Sequence, residues 1–483
     1  MKKKDWNEGL NHLDPDLVEE YVAQKDACAQ KKRRMKPYWF AAVAAVLVLA
    51  ICLSIFLGGN GIPGVKNPHL LAAPVYPQMV QKPNAEDYGN RWEAYDVAYK
   101  AWNTNQRQQY DQPADYADGL TAFFAASMAE FLQGSGNTTY SPVNVYMAMA
   151  MLAETTDGNS RQQILDLFGV ETIQQLRQQA SYVWNAHYSD DGETTLLLAN
   201  SLWLDEAYSF HQNTTKLLAD HYYASSFRGD LGTDTMNKQL QNWLDENTGG
   251  LLKEQAKEVE LDPQTVFALA STIYFSAGWE SKFNAASTKD AVFHLTQEDR
   301  TIPFMNKAIV GCTYYWSENF TAIYLELTGL NKMWLILPDE GYTTADILAS
   351  DDYLRMTMNH GSWQDKKSFK VNLSLPKFDV VSQMDLIEGM KALGVTDIFD
   401  DTNADFSPLT DTTGLYVGQI GHAARVTIDE KGCRAAAFTV IAAPDAAPPS
   451  EWEEIDFVLD RPFLFVVSSR DNLPLFAGVV NEP

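Results

Sequence analysis

Positive charge is scarce in this chain: 37 Lys and Arg stand against 63 Asp and Glu, a net charge of −26. A surface of that sign repels phosphate backbones, which argues against nucleic acid as a partner. Cysteine is scarcer still, with only Cys28, Cys52, Cys312 and Cys433 and no CxxC pair among them. The eight His are scattered, so no metal-ligand spacing arises and no metal is expected. A bridge between Cys312 and Cys433 stays open, although two unpaired thiols are the simpler reading for a core that needs no staple. There is no Gly-rich phosphate loop, no Gly-x-Ser-x-Gly elbow, no HExxH pair and no acidic dyad. An enzyme such as a surface hydrolase is therefore not expected, nor is a cofactor.

What is present suits a large folded body. Apolar residues make up 46% of the chain and charged residues 21%, enough to bury a sizeable core. Residues 1–37 are polar and end in the basic cluster Lys31, Lys32, Arg33, Arg34 and Lys36. Tyr38 to Leu57 follows, twenty residues without a charge. Twenty helical residues cross a bilayer core of about 30 Å. The opening Tyr38–Trp39 pair suits the interface, and the basic flank places the N-terminus in the cytoplasm. A cleaved signal peptide is the rival reading. The long polar lead and the missing small-x-small site speak against it. Ile51 before Cys52 speaks against a lipoprotein site. The expected organisation is a cytoplasmic tail (1–37), a single transmembrane helix (38–57), an extracytoplasmic linker or stalk (58–114) and a globular domain (115–483).

The linker reading rests on Gly and Pro in 58–83 and on the absence of periodicity. Residues 84–114, rich in Tyr, Trp, Gln and Asn, suggest at most a short helix of no assigned role. Beyond them, Leu120, Phe123, Phe124, Phe131 and Leu132 fall at helical spacing. Phe369, Val371, Leu373 and Leu375 alternate with polar residues and predict a half-buried strand. Phe463–Val467 and Leu475–Val480 predict two buried strands turning near Asp471–Asn472. Helices lead and strands follow, an α+β pattern.

One stretch breaks the pattern of a compact domain. Between strand-like Ala424–Ile428 and a strand beginning near Ile455, residues 429–454 are Ala-rich with three prolines and an acidic end. A connection this long is a functional loop or a solvated linker. Cys433, Ala435, Ala437 and Thr439 are all small and would share one face of a strand, with Arg434, Ala436, Phe438 and Val440 on the other. Four small residues fit a face buried under a helix layer, so the loop is able to stand exposed and still enter a sheet; by pattern alone a solvated Ala/Pro linker is the simpler reading.

The run from Asp429 through Glu430, Gly432, Cys433, Arg434, Ala435, Ala436 and Ala437 to Thr439 resembles the reactive-loop hinge of the serpin family. Other resemblances follow in the family's order. They are Tyr140-Ser141-Pro142, Leu198–Trp203 with Asn200, Asn242-Trp243 with Thr248-Gly249-Gly250, and Ile273-Tyr274-Phe275 with Trp279. Leu375-Pro376-Lys377-Phe378, Asp405-Phe406-Ser407, His422, Arg461-Pro462-Phe463 and Pro474-Leu475-Phe476 complete the series. The resemblance covers about 116 to 483.

It implies a metastable serpin fold of helices and three β-sheets with an exposed loop, acting as a suicide inhibitor. The cut loop enters the central sheet and traps an extracellular protease as a covalent complex. A non-inhibitory binding or scaffold protein of the same fold is the alternative. By the family's count the reactive bond lies at Ala446–Ala447, with Asp445 as a second option and a register open to Ser450. Ser141, Asn200, Trp279 and His422 would gate the sheet as its shutter and breach. Cys433 stands where the family has Thr or Ser, Arg434 where it has Glu, and Ser271 and Ala277 where it has Asn and Gly. None of these departures adds Pro or charge to the inward face. No Lys or Arg lies between Arg434 and Arg461, so a trypsin-like target is excluded and an elastase-like or subtilisin-like one fits. The domain is expected to be a monomer at the cell membrane, retained or shed; a bacterial source fits the tether.

Overall fold

A computed structural model describes residues 67–295, 299–433 and 452–483. The expected cytoplasmic tail and the span Tyr38–Leu57 lie outside these residues. Among the described residues no helix is long and apolar enough to cross a membrane. The longer helices are α1 (Trp92–Gln109), α2 (Leu120–Phe131), α3 (Pro142–Thr155), α4 (Gly158–Leu167), α5 (Ile173–His187), α6 (Gln212–Tyr222) and α7 (Asp234–Asn247). The strands are β1 (Leu70–Ala72), β2 (Thr138–Tyr140), β3 (Ser189–Asp190), β4 (Thr194–Asp205), β5 (Ala224–Gly229) and β6 (Phe267–Gly278). They continue as β7 (Lys289–Phe293), β8 (Arg300–Trp316), β9 (Phe320–Glu326), β10 (Lys332–Pro338), β11 (Lys366–Pro376) and β12 (Phe378–Asp385). The last are β13 (Gly421–Asp429), β14 (Gly432–Cys433), β15 (Glu454–Val458), β16 (Phe463–Ser468) and β17 (Pro474–Val480).

One sheet runs β1-β5-β4-β6-β14-β13-β12, with β3 on β4. The other runs β15-β11-β8-β9-β10-β16-β17-β2, with β7 on β8, so among the described residues the strands form two sheets where three were expected, the long β8 and its neighbours joining in one continuous ladder. Helix α3 lies against β6 and β17, joining the two sheets. Its sequence explains the place: Ser141 caps its first turn, Pro142 occupies a position that needs no N–H donor, and of the helix only Ala148 is not buried. Helix α2 buries the expected stripe, Leu120, Phe123, Phe124 and Phe131, with Met128 added. Strands β16 and β17 are buried along their whole length, which is why they read as continuous apolar runs. The turn between them places Asn472 at φ 65, a left-handed conformation that asparagine tolerates. Cys312 and Cys433 are both buried and unpaired.

The stretch 68–114, expected as the outer part of a linker, is instead built into the compact unit Pro68–Pro483. It adds β1 antiparallel to the edge of β5. Tyr76 stacks on Trp184, Tyr188 and Tyr223 at 5.8, 5.4 and 5.9 Å. Trp102 and Gln106 of α1 donate to the Asp191 carboxylate at 3.2 and 2.6 Å. The attachment uses one aromatic plug and polar side chains. An apolar period was therefore never there to be read.

Candidate functional site

The site begins where β13 reverses into β14. Asp429 closes the turn by accepting from the Lys431 amide at 2.7 Å. Gly432 then sits at φ 152, and a Cβ there would press into the Ala277 carbonyl and the Gly278 Cα, so glycine is required. β14 pairs antiparallel with both neighbours: Cys433 faces Ile428 of β13 and Ala277 of β6, while Gly432 faces Asp429 and Gly278. Among the described residues β6 pairs with β4 and β14, and β13 with β12 and β14; no ladder joins β6 to β13.

Trp279 holds this turn from the β6 side. Its indole Nε1–H donates to the Asp429 carbonyl at 2.8 Å, and its amide donates to the Lys431 carbonyl at 3.1 Å. Phe283 meets the Trp279 ring edge-on at 5.7 Å and donates its amide to the Glu430 carbonyl. The Glu430 carboxylate accepts from Thr288 Oγ1 at 2.8 Å and pairs with Lys377 at 3.0 Å. Burial pulls its pKa up, but its own amide, Lys377 and Thr288 outweigh that and hold it below the usual value. Cys433 is buried against Ala277 and Ile428, and burial, aided by Asp429, pushes its thiol up to about 12. It is a small apolar residue there rather than a nucleophile.

A second cluster lies further along β13 and β6. The Ser141 amide donates to His422 Nε2 at 3.1 Å, and Ser141 Oγ donates to the Leu475 carbonyl at 2.6 Å. Burial lowers the His422 pKa to about 4, so the ring is neutral, and with Nε2 accepting, its proton sits on Nδ1. Asn144 Nδ2 donates to the Ser271 carbonyl at 3.3 Å, and Ser271 Oγ donates to Asn144 Oδ1 at 2.6 Å. Asn200 faces Ser271 in the β4–β6 ladder but turns away, donating to the Tyr222 carbonyl at 2.7 Å. Its Oδ1 is buried without a partner among the described residues.

The structure thus joins Ser141 to His422 and Trp279 to the hinge turn, and sets Asn200 one strand apart. Asn144 was not singled out from sequence; its signal was its place three residues after the capping Ser141. Arg434, Ala435, Ala436, Ala437, Thr439, Asp445, Ala446 and Ala447 lie outside the described residues. Among those described, no group of His, Cys, Asp and Glu is arranged to hold a metal ion.

His422 sets a pH dependence. Its folded pKa is depressed below the ordinary 6.5, so its contribution to stability is complete above pH 6.5 and is lost as pH falls toward 4. The loss amounts to about 3 kcal/mol across that window. Urea midpoints measured from pH 7 to 4 should fall more steeply for the native chain than for His422→Gln. Parallel slopes would remove His422 as the cause.

Comparison with known proteins agrees with this geometry. The family model described as Serpin (serine protease inhibitor) matches residues 120–483. Alpha-1-antiproteinase 2 of Equus caballus is 29% identical over 399 residues, spanning 78% of this chain and 90% of its own length. Leukocyte elastase inhibitor of Homo sapiens is 27% identical over 361 residues, 72% and 94% respectively. The native-state structure of the thermophilic serpin tengpin superimposes with a TM-score of 0.67 at 24% identity, covering 77% of this chain and 95% of that one.

Proposed function

The chain belongs to the serpin family, and from that premise we propose that it inhibits serine or cysteine endopeptidases by a suicide mechanism. The observation that carries the reading is the double pairing of β14. Continued in the same register, Ala435 meets Phe275 and Val426, Ala437 meets Ile273 and Ala424, and Thr439 meets Ser271 and His422. Phe275, Ile273, Val426, Ala424 and His422 are all buried, so the small residues of the loop enter the packed face. Arg434, Ala436 and Phe438 come to the opposite face beside Ser276, Tyr274 and Thr272.

The chemistry belongs to the target. Its nucleophilic Oγ or Sγ attacks the Ala446 carbonyl carbon, the Ala446–Ala447 peptide bond breaks, and Ala447 leaves as an amine carrying the proton. The ester or thioester joins Ala446 to the protease. The freed strand, about fifteen residues from Gly432 to Ala446 at about 3.3 Å each, then carries the protease about 50 Å, and deacylation fails as its active site is distorted. Ala446 behind Val440-Ile441-Ala442-Ala443-Pro444 suits a small apolar specificity pocket, elastase-like or subtilisin-like; Asp445 as the bait residue fits an Asp-specific protease. Leukocyte elastase inhibitor among the relatives supports the first choice.

We place this domain outside the cell as a monomer, tethered by Tyr38–Leu57 with its N-terminus in the cytoplasm; the basic flank fits a bacterial surface. Incubation with an elastase-like protease should give a complex that survives denaturing electrophoresis, with a released peptide beginning at Ala447. A start at Ala446 favours the Asp445 reading. Turnover of the chain to fragments with the protease still fully active would refute inhibition.

A further inference from the structure

Large apolar side chains that face solvent are concentrated in one short segment. Leu71, Val75, Val80, Trp92, Val97 and Tyr99 are six of the thirteen among the described residues, and all fall within residues 71–99. Trp92 is 63% exposed and lies two helical turns from Tyr99 on the same face of α1. Tyr95 stands between them, at 6.5 Å from Trp92 and 6.0 Å from Tyr99, and Tyr99 is 5.3 Å from Trp102. An aromatic row therefore runs from Trp102, pinned to Asp191 on the body, out to an uncovered end at Trp92. The segment is also neutral. Between residues 67 and 110, Lys82, Arg91, Lys100 and Arg107 balance Glu86, Asp87, Glu93 and Asp96, in a chain whose net charge is −26.

We propose that the uncovered outer end of this row, Trp92 with Tyr99, rests on the lipid bilayer, as an interfacial contact additional to the anchor; the inference rests on reading Tyr38–Leu57 as a membrane span. Ten residues, 58–67, separate that span from Pro68. Fully extended they reach about 35 Å, so the segment that follows is never far from the headgroups. Trp and Tyr are the side chains suited to that depth, with an apolar ring and a polar edge. Unlike the acidic body as a whole, this segment carries no net charge to oppose its contact with lipid headgroups. Two points of attachment restrict tumbling about the tether.

The test uses the full chain in protein-free phosphatidylcholine vesicles, with a specific protease site substituted into residues 58–65. Before cutting, the chain should sediment with the vesicles through an alkaline carbonate wash; failure at this stage overturns the span reading itself. After cutting, the freed domain should still sediment with vesicles, and the Trp92→Ser/Tyr99→Ser variant should lower its partition about tenfold. A matching melting temperature shows that the variant is folded. Immediate release of the unaltered domain, or equal retention of the variant, overturns the proposal. Release from these vesicles with retention on native membranes overturns it in favour of a protein partner.

Discussion

Replacing Ala435 with glutamate is expected to abolish covalent trapping while leaving cleavage intact. Continued in the register of Gly432 and Cys433, an inserting strand would bring position 435 between Phe275 and Val426, which are 4% and 2% exposed. A carboxylate driven between those side chains would lose its water and find no cation, at a cost of several kcal/mol. Each 1.4 kcal/mol on the insertion step is about tenfold, so about 3 kcal/mol shifts the partition between trapping and release about a hundredfold. Ala436→Glu supplies the control, because in the same continued register position 436 would fall on the opposite face beside Tyr274 and Arg425, which are both partly exposed. That variant should trap normally. The readout is the ratio of denaturation-resistant complex to cleaved product for each variant. Equal trapping by Ala435→Glu and the native chain would show that the inward face has been misassigned.

A single cut between Asp445 and Ser450 by a non-target protease should raise the melting temperature by more than about 10 °C. About fifteen newly inserted residues gain backbone hydrogen bonds at a net of about 1 kcal/mol each, on the order of 10 kcal/mol in sum. The unfolding entropy of a domain of about 370 residues is roughly 0.8 kcal/mol per degree, which converts that gain into the stated shift. Differential scanning of cut and intact protein measures it directly. An unchanged melting temperature would leave a binding or scaffold protein of the same fold as the better reading.

The parts of this molecule that sequence revealed are those where one side chain in two, one in three or four, or every one in a run must be apolar. The stripe of α2, the alternation in β11 and the continuous runs of β16 and β17 all announce their burial. Of the hinge, only the turn into Cys433 falls among the described residues, and there the small side chain is buried in β14; the alternation from Ala435 to Thr439 lies outside them. The attachment of 68–114 was not legible, since Tyr76 and the Asp191 bonds depend on partners about a hundred residues away. The residues expected to gate the sheet stood out singly but not as pairs. Asn200 faces Ser271 across the ladder, yet its amide is drawn to the Tyr222 carbonyl, and it is Asn144 that bonds Ser271.

Strand β1 has a consequence for self-association. Without it, the six residues of β5 would end the sheet with a row of open donors and acceptors, a template for a second copy of the chain. β1 covers that row but is only three residues long, and its pairing carries a register shift between Leu70 and Ala72. The outermost rim is thus too short and too irregular to seed a filament. A segment with no visible core pattern thus closes off an edge along which neighbouring molecules would otherwise stitch themselves together, strand to strand.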